Sequence, residues 1–134
     1  MIIPNRMLSF IKNFWQGIAW WCLIFVLTLT PGGFFPKVSS FWSLFSPDKV
    51  VHLAIFGILT YLLLKGTARQ YKTLKMRYII GIPIIISGLT AIITEIFQAV
   101  LSIGRDASLY DVIANFVGCL LGYLAFSFLK NKIV

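Results

Sequence analysis

The sequence predicts an all-α polytopic membrane protein with four transmembrane helices and with its N- and C-termini in the cytoplasm. Hydrophobic residues make up 59% of the 134 residues and charged residues only 12%, whereas an ordinary soluble domain carries about a quarter charged residues. The mean hydropathy is +0.90. Four apolar runs approach the roughly 17 to 25 residues that cross a hydrocarbon core. A chain of this length is expected to form a single integral membrane domain, residues 1–134.

The first helix is predicted at about residues 14–30, where it ends at Pro31-Gly32-Gly33. Proline and glycine at this position are typical of a helix end. Arg6 and Lys12 precede the run, as basic residues precede a secretory signal. However, the run is long for such a signal and no convincing small-residue cleavage site follows it. We therefore expect a helix that is retained in the membrane.

Three further helices are predicted at about 48–65, 78–103 and 109–129. The second is the shortest in purely apolar terms, and the third is long enough to tilt. Pro83 falls near the start of the third helix, where the lost backbone hydrogen bond costs least. No series of segments alternates with period two, which argues against a membrane β-barrel.

The basic residues predict the orientation of these helices. Cytoplasmic loops of membrane proteins carry an excess of Lys and Arg. Nine of the twelve lie in the N-terminal segment, the connection between the second and third helices, or the C-terminal tail: Arg6, Lys12, Lys65, Arg69, Lys72, Lys75, Arg77, Lys130 and Lys132. We therefore place these segments in the cytoplasm. The net charge of +8 then favours membrane lipids, including an anionic leaflet, as partners, and nucleic acid is not expected.

Few acidic residues remain in this apolar chain, and by this topology they all lie near the extracytoplasmic face. They are Asp48, Glu95, Asp106 and Asp111, and the single histidine, His52, lies close to the same face. Lipid solvates carboxylates poorly, so ionisable residues retained at such positions favour a functional site.

Helix capping explains some of these residues. Ser46-Pro47-Asp48-Lys49 resembles a helix start, in which serine caps, proline takes the first position and the aspartate favours the positive end of the helix dipole. Ser108 and Asp111 have the spacing of a capping box. Capping could therefore account for both aspartates without any site.

Capping does not explain the polar partners deeper in the helices. His52 lies one turn below Asp48, and Asn115 one turn below Asp111, each on the same helix face. Glu95 and Gln98 lie three residues apart in otherwise apolar sequence. Three helices thus present polar pairs at similar depth, and we expect them to converge. The alternative is a structural network that ties the helix ends together.

Small residues in the fourth helix predict close helix packing. Ala114, Gly118 and Gly122 recur at four-residue spacing, which allows another helix to approach closely. This contact is expected inside the chain or in a homodimer. Cys22 and Cys119 lie within apolar runs, without metal or redox spacing, and are expected to act as small hydrophobic residues.

An ordered set of motifs resembles the VanZ-like family of small bacterial membrane proteins. The motifs are Asp48-Lys49-Val50-Val51-His52, then Glu95-Ile96-Phe97-Gln98, then Gly104-Arg105 leading through Ser108 to Asp111, Asn115 and Gly118. The motifs span about Asp48 to Gly122, and their order and spacing are compatible with those of the family. Asp106 lies outside this pattern.

The resemblance implies a multi-pass protein of the bacterial cytoplasmic membrane with a role in the cell envelope. It marks Asp48, His52, Glu95, Gln98, Arg105, Asp111 and Asn115 as site residues. Arg105, Gln98 and Asn115, together with Lys49 of the first motif, are expected to bind the ligand. The family takes its name from a protein linked to teicoplanin resistance, so a link to glycopeptide resistance is an expectation. The resemblance supplies no reaction, cofactor or metal.

Three classes of function are compatible with this site. In an enzyme acting on a lipid-linked or envelope substrate, Glu95 or His52 would be the general base, Asp48 or Asp111 would orient it, and Arg105 would clamp an anionic group. His52, Glu95 and one aspartate would also suit a divalent metal.

The second class is a non-catalytic receptor or modulator that binds a lipid head group or an antibiotic. In this class Arg105 and the amides at the helix ends would hold an anionic head group. The third is a transporter, which is less favoured because its site is expected near the membrane midplane.

Overall fold

The four predicted helices are present in the structure. The computed structural model describes residues 3–29, 47–101 and 109–133, and within these ranges every residue outside the turn at 71–75 is helical. The helices are α1 (Ile3–Leu29), α2 (Pro47–Gln70), α3 (Met76–Leu101) and α4 (Leu109–Ile133). Each is long and apolar enough to cross a membrane. The prediction of an all-α protein with four membrane-spanning helices is therefore confirmed.

Helix α1 begins eleven residues before the apolar run that predicted it, and α2 continues to Gln70. The prediction counted apolar residues only, whereas polar side chains stabilise these helix ends against each other. Asn13 Nδ2 donates a hydrogen bond to Gln70 Oε1 at 2.7 Å, and Ser9 Oγ donates to the same oxygen at 3.1 Å. These bonds join the start of α1 to the end of α2, outside the apolar runs on which the prediction rested.

Adjacent helices run in opposite directions, so α2 and α4 are parallel. His52 contacts Asn115, while an added Cβ at Gly57 would approach Gly118 farther along both helices. Helices α2 and α4 therefore begin at one end of the bundle and α3 ends there; we call this the polar end. The opposite end, where α1 begins and α2 joins α3, contains Arg6 and Lys72 and is called the basic end.

Glycines allow the backbones of α2 and α4 to touch. A Cβ atom built on Gly118 would clash with the carbonyl oxygen of Leu53, and one built on Gly122 would clash with that of Gly57. Small residues are the usual means of bringing membrane helices into close contact. Gly118 and Gly122 thus pack against α2 within one chain. A homodimer through Ala114 and these glycines stays a prediction.

Two tryptophans of helix α1 form hydrogen bonds to α2 and α3. Trp20 Nε1 donates to the Ile55 carbonyl oxygen at 2.9 Å, and Trp21 Nε1 donates to Thr90 Oγ1 at 2.9 Å. Between these helices the core contains fully buried Ile24 and Phe56. The indole hydrogen bonds satisfy polar groups that have no water to bind inside a membrane. They join α1 to both α2 and α3 in the half of the bundle nearer the polar end.

Candidate functional site

Three buried side chains from three helices meet at the polar end. His52 of α2 and Asn115 of α4 approach through Nδ1 and Oδ1 at 2.9 Å. Asn115 Nδ2 donates to Oε1 of Glu95, on α3, at 3.0 Å. The exposed fractions are 3% for His52, 0% for Asn115 and 6% for Glu95. The convergence expected from the polar pairs is therefore observed for these three residues, which we call the His-Asn-Glu network.

The orientation of the network follows from the hydrogen-bonding groups. An amide nitrogen donates and an amide oxygen accepts, so Asn115 Oδ1 requires a donor on the histidine. His52 Nδ1 must therefore carry a proton, and any second proton on the ring is gained or lost at Nε2. Asn115 thus selects the tautomer of His52, as an orienting group does in acid–base sites.

A direct electrostatic interaction complements these hydrogen bonds. His52 Nδ1 lies 3.6 Å from Glu95 Oε1. Protonation of His52 would place a positive charge beside the carboxylate, and such a pair is only weakly screened in a buried site. Glu95 is therefore positioned to stabilise a positive charge on the His52 ring.

The glycines of the α2–α4 contact explain why the side chains reach each other. Asn115 lies three residues before Gly118, which contacts the backbone at Leu53, the residue after His52. Close backbone contact leaves a gap short enough for one asparagine to bridge. The packing motif and the polar network are thus neighbouring parts of one interface.

Gln98, like Ser87, is a buried polar residue whose side-chain donor lacks a hydrogen-bond partner among the described residues. It is 3% exposed, and its Nε2 has no hydrogen-bond partner among the residues that the structure describes. It lies three residues after Glu95, so both are on one face of α3. A buried donor left unsatisfied is unfavourable by about 1–3 kcal/mol. An amide NH₂ at this position is therefore suited to binding an acceptor oxygen.

The structure describes some of the other predicted site residues and not others. Asp111 is buried in the first turn of α4, one turn before Asn115. The side chain of Asp48 and the whole of Arg105 and Asp106 lie outside the described residues. The role of Arg105 as an anion clamp therefore stays a prediction.

Lys49 lies at the seam between α2 and α4. Its Nζ is 5.0 Å from the centroid of the Tyr110 ring, a cation–π geometry. Lys49 and Tyr110 also line a shallow groove of about 220 Å³ between these helices. Its proposed role in ligand binding stays a prediction, with Tyr110 as an additional neighbour.

Metal binding would need ligands beyond those that meet in the described part of the chain. Within those residues, no three side chains of His, Cys, Asp or Glu are close enough to hold a metal. His52 and Glu95 supply one nitrogen and one carboxylate, whereas zinc usually takes at least three protein ligands.

Comparison with known proteins identifies the family. Residues 4–130 match the family model described as VanZ/LLP1. The chain belongs to the VanZ/LLP1 family. The match includes α1, which carries none of the motifs that suggested the resemblance. No curated protein and no solved structure gave a match.

This VanZ/LLP1 protein also contains a polar stripe that the motifs did not reveal. Ser87, Thr90, Thr94 and Gln98 are all buried on one face of α3. Thr90 Oγ1 and Thr94 Oγ1 donate to carbonyl oxygens of their own helix, at 2.8 and 2.9 Å. Their three- to four-residue spacing is a sequence signal that could have predicted a buried helix face. The stripe makes the interior of this family member polar for about three turns below the polar end.

Proposed function

We propose that this VanZ/LLP1 protein binds the anionic head group of a lipid-linked or envelope ligand at its polar end. The observation that carries the proposal is the unpartnered donor of Gln98, three residues from Glu95 in the His-Asn-Glu network. Phosphate and carboxylate oxygens are the acceptors that would satisfy it. By the positive-inside rule, we expect this end to face the outside of the cell membrane.

Helix dipoles support an anionic ligand. Helices α2 and α4 both begin at the polar end, and a helix N-terminus carries a partial positive charge with unpaired backbone N–H groups. Arg105, in the connection just before α4, would add a guanidinium that binds phosphate in a bidentate manner. Together with Gln98, these groups form an expected anion site beside the His-Asn-Glu network.

Chemical processing of the ligand is the second candidate function, and the short distance between His52 and Glu95 favours it. A histidine whose Nδ1–H is fixed by Asn115 exchanges its proton at Nε2. Glu95 would stabilise the protonated ring at 3.6 Å. General acid–base catalysis requires such a positioned pair. In this scheme Asp48 and Asp111 are orienting residues, and the bound head group is the reacting part of the ligand.

Replacement of Gln98 tests the binding proposal. Gln98→Leu removes an unsatisfied buried donor, so we expect unchanged or higher thermal stability. Loss of a hydrogen bond to a charged ligand group would lower affinity by about 1.5–3 kcal/mol, or tenfold or more. The measurement is mass spectrometry of lipids that co-purify with each variant. Gln16→Leu, on the exposed surface of α1, is the matched control.

The outcomes separate binding from a purely structural role. A lipid species retained by the wild type and the Gln16 variant but lost from the Gln98 variant would support the proposal. An unchanged lipid profile together with a lower melting temperature would instead assign Gln98 to a structural network. Elemental analysis of the same samples would detect a bound metal.

The link to glycopeptide resistance is a separate part of the proposal. If a lipid-linked envelope ligand is bound, expression in a susceptible bacterium should raise the teicoplanin concentration that inhibits growth. The Gln98→Leu variant should not raise it. Equal inhibition of cells with and without the wild-type protein would argue against a role in resistance.

A further inference from the structure

An apolar groove opens between α1 and α3 in the half of the bundle nearer the basic end. Trp21 and Thr90 are hydrogen bonded at 2.9 Å, and the rings of Phe25 and Phe97 lie 6.4 Å apart. These contacts join α1 to α3 nearer the polar end. Toward the basic end, Ile18 and Ile82 line a groove instead. We call this groove between the two helices the wedge, and Trp21 lines it at the end nearer the polar end.

Helix α2 forms the inner surface of the wedge, and the lining is almost completely apolar. Its volume is about 450 Å³. Its lining includes Phe10, Phe14, Gly17, Leu63, Thr67 and Ile86. Thr67, its buried polar residue, donates its hydroxyl proton to the Leu63 carbonyl oxygen at 2.8 Å. The surface that remains is mostly apolar and is therefore suited to a lipid chain.

The length of the groove matches one leaflet of a membrane. Along α1 it extends from Phe10 to Trp21, which is about 16 Å at the rise of an α-helix. A hydrocarbon core is about 30 Å thick, so this length is about half of it. An acyl chain that enters at the basic end would therefore reach Trp21 near the middle of the membrane.

A polar cavity adjoins the open end of the groove. It has a volume of about 810 Å³ and shares Phe10 and Tyr71 with the groove. Arg6 contributes a cation, and Asn5, Ser9, Gln70 and Thr73 contribute polar groups. A guanidinium next to neutral hydrogen-bonding groups is suited to a phosphate. The cavity and groove thus have the polarity and order of a phospholipid head group and its chain.

From this arrangement we infer that the basic end holds one anionic glycerophospholipid, with its phosphate near Arg6 and an acyl chain between α1 and α3. This site is separate from the polar end and does not depend on the function proposed for it. By the predicted orientation, the lipid belongs to the cytoplasmic leaflet, where basic residues attract anionic head groups. It would fill the wedge and hold α1 at a fixed angle to α3.

Native mass spectrometry with defined lipids tests this inference. The purified protein is exchanged into detergent containing equal amounts of phosphatidylglycerol and phosphatidylcholine. We expect one retained lipid per chain, predominantly phosphatidylglycerol. Arg6→Gln should reduce this preference about tenfold, as expected for loss of a charge-assisted hydrogen bond. Arg69→Gln, an exposed residue outside the cavity, should leave the preference unchanged.

Variants that fill the groove test the position of the chain. Ile86→Trp and Ile82→Trp place a large ring in the wedge, and both should abolish retention of either lipid. Ile85 is 62% exposed and lies outside the groove, so Ile85→Trp should retain the lipid. Gln98→Leu should also retain it, because Gln98 belongs to the polar end.

Three results would overturn the inference. The first is equal lipid retention by the Ile85 and Ile86 variants when both have wild-type helicity. The second is equal retention of the two lipids by the wild type. The third is the absence of any retained lipid. If the Ile86 variant loses helicity, the comparison of Ile82→Trp with Ile85→Trp decides in the same way.

Discussion

The amide of Asn115 donates to the carboxylate of Glu95 at 3.0 Å and thereby joins α4 to α3. The same amide contacts His52 of α2 through its oxygen, at 2.9 Å. One neutral side chain therefore bonds to ionisable groups on two other helices. Buried polar networks stabilise a fold only when their members are satisfied, which gives Asn115 a larger role than either partner.

Replacement of Asn115 should destabilise the protein more than replacement of a surface asparagine. Asn115→Leu leaves the His52 donor and the Glu95 acceptor without this partner, so we expect a loss of about 2–6 kcal/mol from two penalties of about 1–3 kcal/mol each. Asn131→Leu, on the exposed face of the same helix, should change stability by less than about 0.5 kcal/mol. Thermal unfolding in detergent measures both. Equal melting temperatures would mean that the hydrogen bonds contribute little to the fold.

Neutralisation of Glu95 should separate structure from function. Glu95→Gln keeps an oxygen that accepts from Asn115 but removes the charge that faces His52. We therefore expect the fold and retention of an anionic ligand to persist, because loss of a carboxylate does not weaken an anion site, whereas turnover of the ligand is lost. Comparison of His52→Gln, Glu95→Gln and the double variant measures the coupling between the two residues. Additive changes in melting temperature would show that the two residues act independently.

The contact of α2 with α4 should tolerate no side chain at Gly118. Gly118→Ala places a methyl group against the Leu53 carbonyl, and the required backbone shift should destabilise the protein by about 1–3 kcal/mol. Gly81→Ala is the matched control, because its Cβ would meet nothing within 4 Å. Alanine should stabilise that helical position by up to about 1 kcal/mol. Similar melting temperatures for the two alanine variants would contradict close packing at Gly118.

The sequence predicted the helices well because hydrophobic length is a local property. It also predicted the meeting of His52, Glu95 and Asn115, because their depths follow from helix spacing and alternating topology. It did not predict which atoms bond, since that depends on the α2–α4 approach set by Gly118. Nor did it predict the groove between α1 and α3. That groove depends on how the indole of Trp21 reaches Thr90, which apolar periodicity does not encode.

Cysteine labelling in intact cells tests the orientation on which the outside location of the site depends. The nine basic residues at the basic end predict that the turn containing Thr73 is cytoplasmic. A cysteine at Ser40, in the connection between α1 and α2, should therefore react with an impermeant thiol reagent, and one at Thr73 should react only after the membrane is permeabilised. Cys22 and Cys119 are first replaced by alanine, so that the introduced cysteine is the single thiol in each variant. The reverse pattern would place the His-Asn-Glu network on the cytoplasmic side, where an extracellular antibiotic could not reach it directly.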